Sequence, residues 1–313
     1  MKTMTAIAAC LLMGLAAPAL AQEHGAHAAH GDQHGHRHAD FESGRFHVRV
    51  DGPEHPVGDI ILIPGLSSSP EVWDGLTDQL KDRYRIHRIH VQGFAGAPAE
   101  DNATGPVAAP VAEDLARYIA EQGLNKPIVI GHSMGGTMGM MLAARHPDSV
   151  GKLMVVDMIP FMGAMFAAPG VNPTVESVTP AVNQFTAMSA GMSDEQYRAR
   201  AAATVTGMIR TESLRAGPLE DAATSDRTTS QNAYRELLLT DLRPELARIT
   251  APVEVLYVAF EVPGMTAEFT DNIYRMSYAT LPGVQLKRID NSAHFIMLDQ
   301  PAAFAAEVNA FLE

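Results

Sequence analysis

Short apolar runs alternate with amphipathic segments over most of the chain beyond residue 40. Apolar or alternating runs that predict strands occur at residues 45–50, 58–63, 84–91, 127–130, 153–156, 253–258 and 284–289. Segments with helical spacing occur at residues 73–80, 111–122, 134–145 and 302–312. Because strands that alternate with helices form parallel sheets covered on both faces, the pattern predicts an α/β fold with a mostly parallel central sheet and helices on both faces.

The alternation stops between residues 160 and 250. This stretch is rich in Ala and Met, shows no strong strand pattern, and has helical spacing at residues 194–209 and 231–239. We therefore predict one core, formed by residues 41–159 and 251–313, that is interrupted by a helical cap at residues 160–250.

The first 21 residues have the three parts of a secretory signal peptide. Lys2 is followed by a small and apolar run at residues 4–17, and Ala19 and Ala21 form an A-x-A cleavage site. The apolar run is too short to span a membrane. We therefore expect an exported protein, periplasmic or secreted. The lone Cys10 would leave with residues 1–21, so no disulfide is expected.

Residues 22–40 form a tract in which histidines alternate with small and polar residues, without an apolar period. The histidines are His24, His27, His30, His34, His36 and His38. Such a composition predicts disorder. One interpretation is a weak divalent-metal site, because imidazole binds Zn, Cu and Ni; the other is a flexible linker of biased composition. The formal net charge of −13 argues against nucleic acid as a partner, because phosphate binding needs a basic surface.

The clearest chemical motif is Gly-His-Ser-Met-Gly at residues 131–135, between a predicted strand and a predicted helix. It matches G-x-S-x-G, in which the serine occupies a tight strand-to-helix turn and its hydroxyl is a nucleophile. Small residues are needed at Gly131 and Gly135 because the turn leaves no room for side chains. Ser133 is thus the candidate nucleophile. The alternative is a glycine-rich turn with an inactive serine.

A late histidine and two backbone groups complete the machinery that such a serine needs. His294 follows the last predicted strand, where it could take the proton of Ser133 as a general base. The N–H groups of Leu66 and Met134 would form an oxyanion hole, because they follow the first buried strand and the nucleophile. The serines at residues 67–69 could add a hydroxyl there, or could simply form a polar turn.

Together these motifs make residues 45–313 resemble the α/β-hydrolase family, most closely its small esterase and lactonase-like members with a helical cap. The segment Gly93-Phe94-Ala95-Gly96 is similar to the family's R-G-x-G-x-S turn, although Gln92 replaces the usual arginine. The resemblance implies an α/β-hydrolase fold, a Ser-His-acid triad and no cofactor.

The resemblance leaves two positions for the acid of the triad. Many members carry it after the strand predicted here at residues 253–258, where Glu261 occupies the slot; others carry it one strand earlier, where Asp157 follows Val156. Either carboxylate would fix the tautomer of His294 and stabilise its protonated form.

The residues that follow Asp157 are candidates for the substrate pocket. Met158, Phe161 and Met162 come directly after the acid position, and His132 precedes the nucleophile. Flexible methionines suit an adaptable apolar pocket, although each of them could equally belong to the core of a small helical cap.

The function predicted from these residues is hydrolysis of a small apolar carboxylic ester or lactone through an acyl-enzyme. An alternative from a different class is a metal-binding exported protein that acts through its histidine tract, with a non-catalytic hydrolase-like body.

Overall fold

The computed structural model describes residues 37–38, 41–167, 171–259 and 266–313. The predicted signal peptide, most of the histidine tract and Glu261 lie outside these residues. Disorder was expected throughout residues 22–40, but Arg37 and His38 form a short strand. They pair antiparallel with Val50 and Arg49, so the end of the tract joins the sheet through backbone hydrogen bonds.

The core contains one eight-stranded sheet with the order β1-β2-β4-β3-β5-β6-β7-β8. Its strands are β1 (Arg37–His38), β2 (Phe46–Asp51), β3 (Asp59–Ile63), β4 (Arg85–Val91), β5 (Ile128–His132), β6 (Lys152–Val156), β7 (Val253–Tyr257) and β8 (Gln285–Arg288). The pairs β1–β2 and β2–β4 are antiparallel, and all other neighbouring strands are parallel. The predicted α/β fold with a mostly parallel sheet is thus confirmed.

The strands at the centre of the sheet are apolar on both faces because both faces are covered. In β3, Ile61 and Ile63 belong to the hydrophobic core on one side of the sheet, whereas Ile60 and Leu62 belong to the core on the other side. Successive side chains of a strand point in opposite directions, so one continuous apolar run supplies both cores.

The helices cover the two faces of the sheet and form the insertion. They are α1 (Asp74–Leu80), α2 (Ala108–Glu121), α3 (Met134–Arg145), α4 (Val175–Ala190), α5 (Asp194–Met208), α6 (Ala216–Thr224), α7 (Arg227–Leu239), α8 (Ala267–Ser277), α9 (Ile296–Asp299) and α10 (Pro301–Leu312). Every residue of α3 except Arg145 is buried, which explains its nearly uniform small and apolar sequence. No helix among the described residues is long and apolar enough to cross a membrane.

Helices α4 to α7 lie between β6 and β7 in the chain, where the sequence predicts a helical insertion. A small separate cluster of Phe161, Val178, Val182 and Leu238 holds part of this insertion together. By contrast, α5 has no buried residue, so one of its faces is available to line a cavity.

Candidate active site

Ser133 occupies the turn between β5 and α3 at the carboxyl end of the sheet. Its backbone has φ 53° and ψ −120°, a conformation that residues other than glycine rarely adopt. The backbone N–H donates to the carbonyl of Val156 at 2.8 Å, which fixes the turn against the neighbouring strand. As a result, Ser133 lines the cavity between the sheet and the insertion.

The two glycines of the motif are required by the neighbouring backbone. A Cβ atom at Gly131 would overlap the carbonyl of Gly135. One at Gly135 would overlap the carbonyls of Ile63 and Pro64. The spacing of the motif thus reflects close contact between the turn, the helix and β3.

His294 lies after β8 and is hydrogen-bonded to the carboxylate that follows β6. Its Nδ1–H donates to Oδ2 of Asp157 at 2.6 Å. An ionised carboxylate can only accept, so the ring proton lies on Nδ1 and Nε2 keeps its lone pair. His294 and Ser133 line the same cavity, so a base and a hydroxyl face one space.

The second oxygen of Asp157 is also satisfied. Oδ1 accepts from the Tyr274 hydroxyl at 2.9 Å and from the Val258 N–H at 3.2 Å. Burial, and then the negative charge of Asp157, raises the pKa of Tyr274 well above its ordinary value, so the hydroxyl stays a donor. Tyr274 lies on α8, and no local motif in the sequence identifies it.

Of the two candidate acids, the structure brings Asp157 to His294. Asp157 is 8% exposed and has φ 52°, an unusual backbone conformation at the end of β6. Glu261, the other candidate, lies outside the described residues.

The predicted oxyanion-hole donors lie where two strand-to-helix connections meet. Leu66 follows β3 and lines the cavity, while Met134 begins α3 directly after Ser133. Within the described part of the chain, neither backbone N–H donates to a protein acceptor. Both donors are thus free to bind a negatively charged oxygen.

The serines that follow Leu66 tie this loop to the insertion. The Ser67 and Ser230 hydroxyls lie 2.8 Å apart, and Ser69 donates to Asp221 through its N–H at 2.9 Å and its hydroxyl at 2.7 Å. Burial raises the pKa of Asp221, and the two bonds from Ser69 oppose that shift. Ser67 and Ser69 thus position the loop that carries the Leu66 donor.

His132 forms part of the cavity floor beneath the candidate base. It is fully buried, and its Nε2–H donates to the backbone carbonyl of His294 at 3.0 Å. Burial, and then the nearby His294, lowers the pKa of His132 well below its ordinary value, so its ring stays neutral. This neutral ring supports the His294 loop.

The cavity has a volume of about 220 Å³ and is lined mainly by apolar side chains. Met158 and Met162 line it as the sequence predicts, and Met165 joins them. Phe161 differs from the expectation: its ring is not among the lining side chains and is buried in the insertion cluster. The Arg243 guanidinium lies 4.8 Å from the centre of that ring, which packs Phe161 away from the cavity.

Nothing in the described ranges resembles a metal site. No group of three or more His, Cys, Asp or Glu side chains among these residues is placed to hold an ion. Most of the candidate histidine tract lies outside them.

Comparison with known proteins agrees with this architecture. A pimeloyl-[acyl-carrier protein] methyl ester esterase of Klebsiella pneumoniae is 26% identical over 253 residues, which covers 78% of this chain and 90% of that protein. The corresponding esterase of Vibrio cholerae is 25% identical over 256 residues, covering 81% and 93%. Both relatives are esterases by name.

Solved structures show the same fold at lower identity. An enol-lactonase from Burkholderia xenovorans has a TM-score of 0.66 and 18% identity, covering 88% of this chain and 99% of that one. A hydrolase from Pseudomonas aeruginosa has a TM-score of 0.70 and 18% identity, covering 90% and 99%. The model of the alpha/beta hydrolase family matches residues 60–307. The chain therefore belongs to the alpha/beta hydrolase family.

Proposed function

We propose that this hydrolase is a serine esterase that cleaves a carboxylic ester or lactone through an acyl-enzyme, with Ser133, His294 and Asp157 as its triad. The observation that carries the proposal is the 2.6 Å hydrogen bond between His294 and Asp157 at the wall of a cavity that also exposes Ser133. The esterase activity named for the relatives favours the same reaction class.

In the proposed reaction, Ser133 Oγ attacks the ester carbonyl while His294 Nε2 takes its proton. The carbonyl oxygen becomes negative and accepts hydrogen bonds from the Leu66 and Met134 N–H groups. Asp157 stabilises the protonated His294. The tetrahedral intermediate collapses as His294 gives its proton to the leaving alkoxide, which departs as the alcohol. Water then attacks the acyl-serine in the same way, which releases the acid and restores the Ser133 hydroxyl.

The cavity favours an apolar group next to the ester. Methionines at positions 158, 162 and 165 form one part of its wall. Thioether side chains adapt to irregular apolar groups. An apolar group in the cavity also excludes water, and this exclusion strengthens the hydrogen bonds to the oxyanion.

Labelling with a fluorophosphonate and turnover of p-nitrophenyl butyrate test the proposal directly. We expect wild type to be labelled and active, and Ser133→Ala to lose both. Ser189→Ala is the matched control, because Ser189 lines the same cavity from α4 and not from the turn that carries Ser133, and it should keep both. A folded wild type that is neither labelled nor active, or a Ser133→Ala variant as active as wild type, would overturn the proposal.

We also propose that the protein is exported, on the basis of the signal-peptide pattern at residues 1–21. Expression of the full chain in a Gram-negative host, followed by cell fractionation and N-terminal sequencing, tests this. We expect a product that begins at Gln22 outside the cytoplasm. An uncleaved cytoplasmic product would contradict it.

A further inference from the structure

The mainly apolar lining of the cavity includes polar groups that the proposed chemistry does not use. They come from the insertion: Arg200 lies on α5 and Tyr234 on α7, and both line the cavity that also contains Ser133. A charged and a hydroxyl side chain on an apolar wall indicate a position where a polar part of the substrate is bound.

Arg200 has no partner for its charge in the described part of the chain. The contact recorded for its guanidinium is with the ring of Phe185, whose centre lies 4.8 Å away. Asp194 on the same helix pairs with Arg227, and Asp221 on α6 accepts a hydrogen bond from Ser69. A half-buried cation beside apolar side chains is costly without a counter-charge, and a bound anion would remove that cost.

Tyr234 lies against the same aromatic ring. Its ring centre is 5.9 Å from that of Phe185, and its hydroxyl is buried without a hydrogen-bond partner among the described residues. Burial raises the pKa of this hydroxyl, while the nearby Arg200 opposes the shift, so it remains a donor at neutral pH. Phe185 thus contacts both the Arg200 guanidinium and the ring of Tyr234.

We propose that Arg200, assisted by Tyr234, binds a free carboxylate of the substrate, so that the preferred esters carry an anionic group in addition to the ester. The guanidinium presents a planar fork of donors that matches a carboxylate. This inference rests on the proposed esterase function, because the substrate carboxylate would bind in the same cavity as the ester that Ser133 attacks.

The test compares anionic and neutral methyl esters of equal length on the purified protein. Monomethyl adipate and monomethyl suberate carry the carboxylate on the acyl side; methyl hexanoate and methyl octanoate are their neutral counterparts. The hexanoyl ester of 4-hydroxybutyrate carries the carboxylate on the alcohol side, and butyl hexanoate is its neutral counterpart. This pair identifies the side of the ester that faces Arg200. We expect wild type to have a higher kcat/KM for at least one anionic ester than for its neutral counterpart.

Arg200→Gln should lower kcat/KM for that anionic ester by about 10- to 100-fold, the range for a lost hydrogen bond to a charged group. The loss should lie in KM, and it should be at least tenfold larger for the anionic ester than for methyl hexanoate. Arg198→Gln is the matched control, since it removes the same charge from an exposed position of α5. Tyr234→Phe should produce a smaller loss of the same kind, and Arg200→Lys a partial rescue.

Two outcomes overturn the inference while the esterase proposal survives. In the first, wild type hydrolyses the neutral esters and reacts with the fluorophosphonate but prefers no anionic ester. In the second, Arg200→Gln and Arg198→Gln behave alike. If wild type neither reacts with the fluorophosphonate nor hydrolyses any ester, the proposed function itself fails.

Discussion

Replacement of Asp157 by asparagine tests the proposed triad with little change of shape. The carboxylate accepts three hydrogen bonds, from His294 Nδ1, the Tyr274 hydroxyl and the Val258 N–H. An amide offers one oxygen and one NH₂ group. The amide satisfies two of the three donors only when its oxygen faces the Tyr274 hydroxyl and the Val258 N–H. The NH₂ group then faces His294 Nδ1, which must become an acceptor.

This exchange moves the ring proton of His294 to Nε2, and a protonated Nε2 can no longer accept the proton of Ser133. In a Ser-His-Asp triad such a change of tautomer lowers kcat by roughly 10⁴-fold. That factor corresponds to about 5 kcal/mol in the activation free energy. We therefore expect Asp157→Asn to fold like wild type, by circular dichroism and thermal melting, and to lose about 10³- to 10⁴-fold in kcat/KM for p-nitrophenyl butyrate.

Glu261→Gln is the control, because Glu261 is the other carboxylate that the family resemblance allows. We expect its kcat/KM to stay within about twofold of wild type, as for a substitution outside the catalytic groups. The reasoning is refuted if Asp157→Asn keeps most of its activity, and more strongly if Glu261→Gln loses it instead.

Three further predictions concern groups around the site. Tyr274→Phe removes one donor to Asp157 and should lower kcat for p-nitrophenyl butyrate about tenfold without raising KM; an effect confined to KM would contradict a positioning role. Asp299 accepts three backbone N–H groups, so Asp299→Asn should lower the free energy of unfolding by about 2 kcal/mol at pH 7, measured by urea denaturation. Burial alone would raise the pKa of Asp299, but these bonds hold it below its ordinary 3.8. The contribution of Asp299 to the free energy of unfolding is complete above pH 3.8 and is lost as the pH falls through the lowered pKa. A stability difference between Asp299→Asn and wild type that persists undiminished in strong acid would contradict this role. Gly135→Ala should abolish soluble expression because its Cβ would overlap two carbonyls, whereas Gly217→Ala, with nothing within 4 Å, should be tolerated.

The alternation of apolar runs and helical segments predicts most of the core, because each strand of a covered parallel sheet is apolar along its own length. The turn at Ser133 is equally visible, since its glycines and their strand-to-helix context are neighbours in the sequence. The position of His294 after the last strand follows from the same local pattern. These predictions need only information carried within about twenty residues.

The acid and the pocket depend on contacts between distant segments, which is why they remained open. Both Asp157 and the position of Glu261 follow strands that end at the same edge of the sheet, and only the packed structure places Asp157 against His294. Tyr274 reaches Asp157 from a helix that the sequence pattern does not predict. Phe161 has a non-helical backbone with φ −141° and ψ 87°, and Met162 begins a short 3-10 helix directly after it. Which of the two side chains enters the cavity therefore depends on how the insertion packs.

The hydrogen bonds from Ser67 and Ser69 to the insertion limit how this enzyme can be re-engineered. An insertion that contacted the core only where the chain enters and leaves it could be replaced as a unit by the insertion of a relative. Here the exchange would also remove Ser230 and Asp221, which hold the loop of the Leu66 donor. Chimaeras that carry a relative's insertion should therefore lose turnover even when core and insertion both fold. They should keep it only if the new insertion has residues that correspond to Ser230 and Asp221.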